Sequence, residues 1–250
     1  MASEAPQLDW PRAWRALKGL IADSSRTELA FEVTAALTGK SFDRAFQRFI
    51  DHPDGRRLLA ERPRLLDTLM NRTTLAALPV GSFGRAYADF MSAGNLAAEG
   101  LVDAQEMAAP PTQMALDPDR QYFADRVRDM HDLWHVLTGY GMDEAGEAAN
   151  LAFNLGQIFS AGIGLMVLAG AVVGPRDLTC SWQRYLWRAW RRGQRATLLT
   201  VVPYEELLTL PLEDVRNLLH ISAPEVAHPG GILVGNRSDD QREWIVTPVH

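Results

Sequence analysis

The chain has 250 residues, 47% of them hydrophobic and 22% charged, with a mean hydropathy of −0.13. That balance excludes disordered, collagen-like and low-complexity classes and leaves enough chain for a large core. A formal charge of −6 argues against a surface that binds nucleic acid throughout, and the single cysteine, Cys180, excludes an intrachain disulfide or a CxxC site and points to a reducing, cytoplasmic compartment.

The N-terminal stretch MASEAPQLDW carries Glu4 and Asp9 without an apolar core, unlike a secretory signal or a transit peptide. Trp10, Trp14, Leu17 and Ile21 step by four, three and four, which predicts one face of an amphipathic helix opened by Pro11. Residues 26–39 read as a second helix stopped at Gly39, and 41–51 and 54–71 as further helices, the last interrupted at Pro63. Gly81-Ser82-Phe83-Gly84 lacks the lysine and the preceding strand of a nucleotide loop, so Ser82 is read as the cap of the next helix. Prolines make 106–119 a loop, and Phe123, Val127, Met130, Trp134 and Leu137 then predict a helix that ends at Thr138-Gly139.

Residues 148–175 carry no charge, and 158–174 approach membrane-spanning length. Their small residues, with Asn150, Asn154 and Gln157 near the start, favour a buried core or dimer helix over a membrane span. Short β-like runs occur only at 198–202 and 232–234, and the Pro/Gly-rich residues 223–250 read as an extended arm. The expected fold is all-α: a single helical domain over 1–222 with a metal-binding helical hairpin, followed by that arm.

The sharpest motif is His131-Asp132-Leu133-Trp134-His135, followed after eleven residues by Glu147. On a helix the two histidines lie one turn apart, and Asp132 projects about a hundred degrees from His131. Asp143 is a suitable cap for the next helix, so a tight hairpin returns Glu147 toward the imidazoles. Two imidazoles at i and i+4 with nearby carboxylates are metal-ligand chemistry suited to zinc, iron, manganese or cobalt.

Glu147, Asn150, Asn154 and Gln157 make a polar seam that either faces water or lines a cavity beside the metal. In 182–196, Trp182, Tyr185, Leu186, Ala189 and Trp190 share one face, while Arg184, Arg188, Arg191, Arg192 and Arg195 have no acid among them. Such a helix suits an anionic membrane surface or a phosphate, or else packs its arginines against acids elsewhere in the fold. His52, His220, His228 and His250 are isolated and read as structural or surface residues. Only two of the 25 basic residues are lysines, Lys18 and Lys40, a bias associated with high-GC bacterial genomes.

HDLWH, eleven residues, then Glu147 resembles the HDxxH-x11-E signature of the coenzyme Q (ubiquinone) biosynthesis protein 4 family. LPVGSFGRAYADFM (78–91), GRRLLAERPRLL (55–66), WRAWRRGQRA and Pro203-Tyr204-Glu205-Glu206 resemble further blocks of it. The resemblance covers roughly Trp10 to Ser222; residues 223–250 have no counterpart in it, and 92–119 departs from its pattern. It implies an all-helical bacterial member, peripheral to the cytoplasmic side of the inner membrane, that works with other ubiquinone-biosynthesis proteins. It also implies oxidative decarboxylation of a polyprenylated 4-hydroxybenzoate-type lipid at ring carbon 1. By the same resemblance His131, Asp132, His135 and Glu147 are the metal and catalytic residues, with zinc the usual ion.

From the residues come further expectations: Asn150, Asn154 and Gln157 line the substrate cavity, Arg188, Arg191 and Arg192 meet the membrane, and the chain forms a homodimer. Nucleic acid is not an expected partner. Two other function classes stay open: a non-catalytic lipid-binding scaffold for a ubiquinone-biosynthesis complex, and a metalloenzyme acting on another aromatic acid.

Overall fold

The structure is a computed structural model that describes residues 7–23, 26–94, 116–174, 179–235 and 244–247. Helix α1 (Trp10–Ala22) starts where the Asp9 side chain accepts from the Arg12 amide, and it packs against α2 (Thr27–Ala36). Arg12 ties the two together through both oxygens of Glu32, at 2.5 and 2.8 Å. The buried side of α1 is Ala13, Ala16 and Leu17; Trp10, Trp14 and Ile21 are exposed. The expected apolar face is therefore rotated. Small alanines let α2 approach closely, and the bulky tryptophans stay on the solvent side.

Helices α3 (Ser41–Asp51) and α4 (Pro53–Glu61) meet α8 (Pro118–Asp129) around Phe123, whose ring lies 5.6, 5.7 and 5.0 Å from Phe42, Phe46 and Phe49. Between them in the chain are α5 (Leu65–Met70), α6 (Arg72–Ala76) and α7 (Phe83–Ala93), the last capped by Ser82 as its sequence predicts. Most of the loop at 92–119 lies outside the described residues.

The helix expected to run to Thr138 is two: α8 stops at Asp129, and α9 (His131–Thr138) follows after Met130. Helix α10 (Glu144–Gln157) then packs along α12 (Thr179–Arg195). Added Cβ atoms would sit 2.1 Å from the Phe153 carbonyl at Gly193 and 2.5 Å from that of Trp190 at Gly156, so these glycines set the closeness of the two backbones.

The charge-free stretch 148–175 is not one helix. It breaks at Ile158, which is extended, and restarts as α11 (Ala161–Val173), capped by Ser160. The break places the start of α11 against α2, where a Cβ on Gly162 would be 2.7 Å from the Thr34 Cα. Among the described residues no helix is long and apolar enough to cross a membrane.

The β-like run at 198–202 forms a 3-10 turn, Leu199–Val201, because the Leu199 amide donates to the Gln157 side chain rather than to a strand. After α13 (Tyr204–Leu207), α14 (Leu212–Leu218) and α15 (Pro224–Ala227), the run at 232–234 falls in β1 (Ile232–Gly235). It pairs antiparallel with β2 (Trp244–Thr247), Ile232 opposite Thr247, and forms the one small sheet among the described residues of an all-α fold. Ile232 and Leu233 are buried in the main core with Leu133, Trp134, Ala149, Phe153 and Tyr185.

Candidate metal centre

The predicted helix stop at Gly139 and cap at Asp143 meet where α9 turns into α10. Gly139 ends α9 at φ +77°, a conformation glycine adopts without strain. The last carbonyls of α9 are met by cations: Arg216 donates to Val136 and Leu137, and Arg192 to Thr138. Asp143 caps α10 by accepting from Ala145 and Gly146. A Cβ on Gly146 would lie 2.0 Å from the Gly141 carbonyl, so only glycine permits so tight a hairpin.

This turn brings Glu147 back over the histidines. Its Oε2 is 3.5 Å from His135 Nε2 and 3.9 Å from His131 Nε2, and the two imidazole centroids are 4.9 Å apart. One ligand atom from each of His131, His135 and Glu147 lies within 4.8 Å of the others. His135 is 1% exposed, with Phe90 stacked 5.5 Å away, while the Glu147 side chain is 44% exposed. The centre is closed behind His135 and open beside Glu147.

Hydrogen bonds aim both rings. His131 Nδ1 pairs with Asp132 Oδ1 at 3.0 Å, and His135 Nδ1 with the Tyr140 carbonyl at 3.2 Å. A carbonyl only accepts, so Nδ1 of His135 carries a proton and Nε2 is the ring nitrogen left to face Glu147. That Nε2 atom is buried and has no hydrogen-bond partner, a condition that costs about 1–3 kcal/mol unless a ligand relieves it. Two imidazole nitrogens and a carboxylate oxygen form a donor set that fits a divalent cation.

Burial works against a charged His131, but the Asp132 hydrogen bond and the Glu147 charge outweigh it and raise its pKa. Burial also works against ionised Glu147, and His135 and His131 outweigh it, holding the carboxyl below its usual range.

Asp132, expected as a fourth ligand, is not among the converging atoms. Its position one residue along the helix turns its carboxylate to the Nδ1 side of His131, where it orients the ring. The polar seam also divides. Asn150 is 1% exposed with neither amide atom partnered, and Asn154 Oδ1 is buried and unpartnered too. Gln157 is not free to line a cavity: its Nε2 donates to the Gly193 carbonyl at 2.5 Å and its Oε1 accepts from the Leu199 amide at 2.8 Å.

The basic helix divides likewise. Trp182, Tyr185, Leu186 and Ala189 are buried as their spacing predicts. Arg192, expected at a membrane surface, is 4% exposed and donates to the Thr138 and Ser222 carbonyls. It faces the core because it caps α9. Burial lowers its pKa, with Arg216 adding to the effect and Tyr140 opposing it. Arg188 and Arg191 are half-buried, beside the exposed Trp187.

Sequence reasoning missed the buried partners behind the centre. Phe90 lies within a block that carried the family resemblance, but its contact with His135 has no local signal. His228, read as isolated, is 2% exposed and bonded to the Tyr140 hydroxyl. His52 caps α4 by accepting from the Asp54 amide.

Comparison with known proteins agrees with the fold and the family resemblance. The model of the coenzyme Q (ubiquinone) biosynthesis protein Coq4 family matches residues 15–225. The mitochondrial ubiquinone biosynthesis protein coq-4 of Neurospora crassa is 29% identical over 82% of this chain and 57% of its own length. The COQ4 protein of Yarrowia lipolytica is 30% identical over 82% of this chain and 76% of its own, and the Rattus norvegicus homologue 30% identical over 69% and 62%. The chain thus spans less than two thirds of some of these relatives. A crystal structure of a Nostoc punctiforme protein named for ubiquinone biosynthesis superposes with a TM-score of 0.64 at 21% identity, covering 87% of this chain and all of that one; it shares the fold. With the family model matched from α1 to α15, this chain belongs to the Coq4 family of coenzyme Q biosynthesis proteins.

Proposed function

We propose that this chain acts in ubiquinone biosynthesis, taking a polyprenylated 4-hydroxybenzoate-type lipid at the His131/His135/Glu147 centre and replacing its ring carboxylate by a hydroxyl. The observation that carries this reading is the buried, unpartnered His135 Nε2 facing Glu147, one turn from the unpartnered amide of Asn150. Unmatched polar atoms next to a ligand-like cluster are what a site for a cation and an oxygen-bearing ring requires.

His131, His135 and Glu147 would hold a divalent ion, zinc first on the resemblance, with iron, manganese or cobalt compatible with the same donors. When bound, such an ion supplies Lewis acidity that lowers the pKa of a phenol or carboxylic acid. The chain's own residues do the rest. Asp132 and the Tyr140 carbonyl hold the two imidazoles in the tautomer that faces the ligand. Asn150 offers a donor and an acceptor to ring oxygens, and Phe90 gives the ring an apolar wall. A deprotonated phenol para to the carboxylate makes ring carbon 1 electron-rich. Its bond to the carboxyl carbon breaks and CO2 leaves; one atom of O2 bonds to ring carbon 1 and the other leaves as water, with two electrons and two protons from a two-electron reductant of the reduced nicotinamide or flavin class closing the balance.

The lipid tail requires contact with a membrane, so the chain acts peripherally at a bilayer, alongside other ubiquinone-biosynthesis proteins and as a homodimer. Arg188 and Arg191 with exposed Trp187 supply aromatic and basic groups for that contact, as do Trp10, Trp14 and Lys18 on α1. Turnover of a prenylated 4-hydroxybenzoate with and without chelator tests the proposal. Chelator-sensitive release of CO2 is expected; tight lipid binding with no turnover by metal-loaded protein would assign a scaffold role instead.

A further inference from the structure

Behind His135 lies a buried polar cluster that the reaction does not use. Tyr140 is 1% exposed, and its hydroxyl meets His228 Nε2 at 2.9 Å. The Arg192 guanidinium lies 5.3 Å from the Tyr140 ring, and the Tyr185 ring is 4.8 Å from His228. The same segment braces the turn: a Cβ on Gly139 would be 2.7 Å from Pro224 Cγ. Ile232 and Leu233, just beyond His228, are buried in the main core and anchor it.

Tyr140 is also the residue whose carbonyl accepts from His135 Nδ1. Whatever holds Tyr140 therefore sets the aim of His135 Nε2. We propose that His228 is a positioning residue for the candidate metal centre, holding the Tyr140 hydroxyl so that the Tyr140 carbonyl orients His135. His228 lies beyond the matched family residues, which end at 225, so this support is supplied by the chain's own C-terminal segment.

The electrostatics agree with the geometry. Burial, with Arg192 and Arg188 adding to it, pushes the His228 pKa down to about 3, so the ring is neutral at physiological pH. Burial pushes Tyr140 up, against the opposing Arg192, so its hydroxyl stays protonated. The Tyr140 O–H then donates to a neutral Nε2. Groups that hydrogen-bond a metal ligand directly change metal affinity about 10–100-fold when removed, and His228, one bond further out, should act at the low end of that range.

The inference rests on the metal-centre reading, and cobalt binding separates the two. Cobalt(II) affinity and the visible spectrum of the cobalt-loaded protein would be measured for the parent, His135→Ala, His228→Phe, His228→Gln and Tyr140→Phe, with metal-free melting temperatures alongside. Expected are binding by the parent, none by His135→Ala, and about tenfold weaker binding with an altered spectrum in His228→Phe. His228→Gln, whose amide oxygen can accept, should recover most of the affinity. Tyr140→Phe keeps the ring, loses only the hydroxyl, and should match His228→Phe; it carries the test if His228→Phe fails to fold. Parent-like affinity and spectrum in His228→Phe or in Tyr140→Phe would overturn the positioning role. So would equal losses in His228→Phe and His228→Gln. A parent that binds no cobalt, or binds it as His135→Ala does, would overturn the metal-centre reading itself.

Discussion

The two halves of α10 carry the same kind of side chain and use it in opposite ways. In its N-terminal half Asn150, one turn beyond Glu147, is buried with both amide atoms unmatched. At its C-terminal end Gln157 is equally buried, but it joins the Gly193 carbonyl to the Leu199 amide and so ties α12 to the turn that follows it. One end stores unsatisfied polar capacity and the other consumes it. Among buried amides, hydrogen-bond satisfaction separates a residue that serves a ligand from one that serves the fold.

The largest test of the ligand end is His135→Ala. It should abolish stoichiometric metal, read by elemental analysis, while far-ultraviolet circular dichroism stays near that of the parent, because the core does not depend on an ion. Retained metal would remove His135 from the ligand set.

Next in size is Gln157→Leu at the structural end. It strands two buried backbone groups at about 1–3 kcal/mol each, a loss equivalent to roughly 10 °C in melting temperature for a chain of this length. Metal content should not change. A parent-like melting temperature would erase the contrast between the two ends.

Asn150→Leu should do the reverse. Removing an unsatisfied buried amide leaves thermal stability unchanged or raised, while turnover of the prenylated substrate falls about 10–100-fold, the equivalent of 1–3 kcal/mol of lost polar contact. A stability loss as large as that of Gln157→Leu would mean that Asn150 belongs to the fold as well.

A smaller effect concerns pH. His228 titrates near 6.5 when unfolded and is pushed down to about 3 by burial, Arg192 and Arg188 in the fold. Between these values the unfolded chain binds a proton that the native chain does not, so acidification below pH 6.5 costs stability, at up to about 1.4 kcal/mol per pH unit. Denaturant unfolding at pH 7 and pH 5 should show this slope in the parent and a flatter one in His228→Gln. Equal slopes would place the acid sensitivity elsewhere.

Least in size is the exposed side of α12. Replacing Arg188 and Arg191 by Gln should weaken binding to anionic vesicles several-fold at low salt and leave metal content intact, each surface cation contributing on the order of 1 kcal/mol. Sedimentation at two salt concentrations checks it. Unchanged binding would leave Trp10, Trp14 and Lys18 of α1 as the membrane contact.

Much of the centre was legible in sequence because its signals are local. The i, i+4 histidines, the Asp143 cap, the glycines of the turn and the charge-free helices depend on residues within a few positions of one another. Helix ends were less legible: the breaks at Met130 and Ile158 carry no glycine or proline. The rotated face of α1 shows that period alone does not tell which edge of an amphipathic stripe meets the core when small residues can pack closer than tryptophans.

What the sequence by itself determined is therefore the helical class, the pairing of His131 and His135, and the return of Glu147 by a short hairpin, all products of helical geometry and turn chemistry. The tertiary structure alone decided the outer contacts: Asp132 turned to His131 Nδ1, Arg192 buried under α9, Gln157 bonded across to α12, and His228 brought 88 residues along the chain to Tyr140. All but the first of those contacts join segments distant in the chain. They arise from the balance of burial and hydrogen-bond satisfaction over the whole core, which no local spacing encodes.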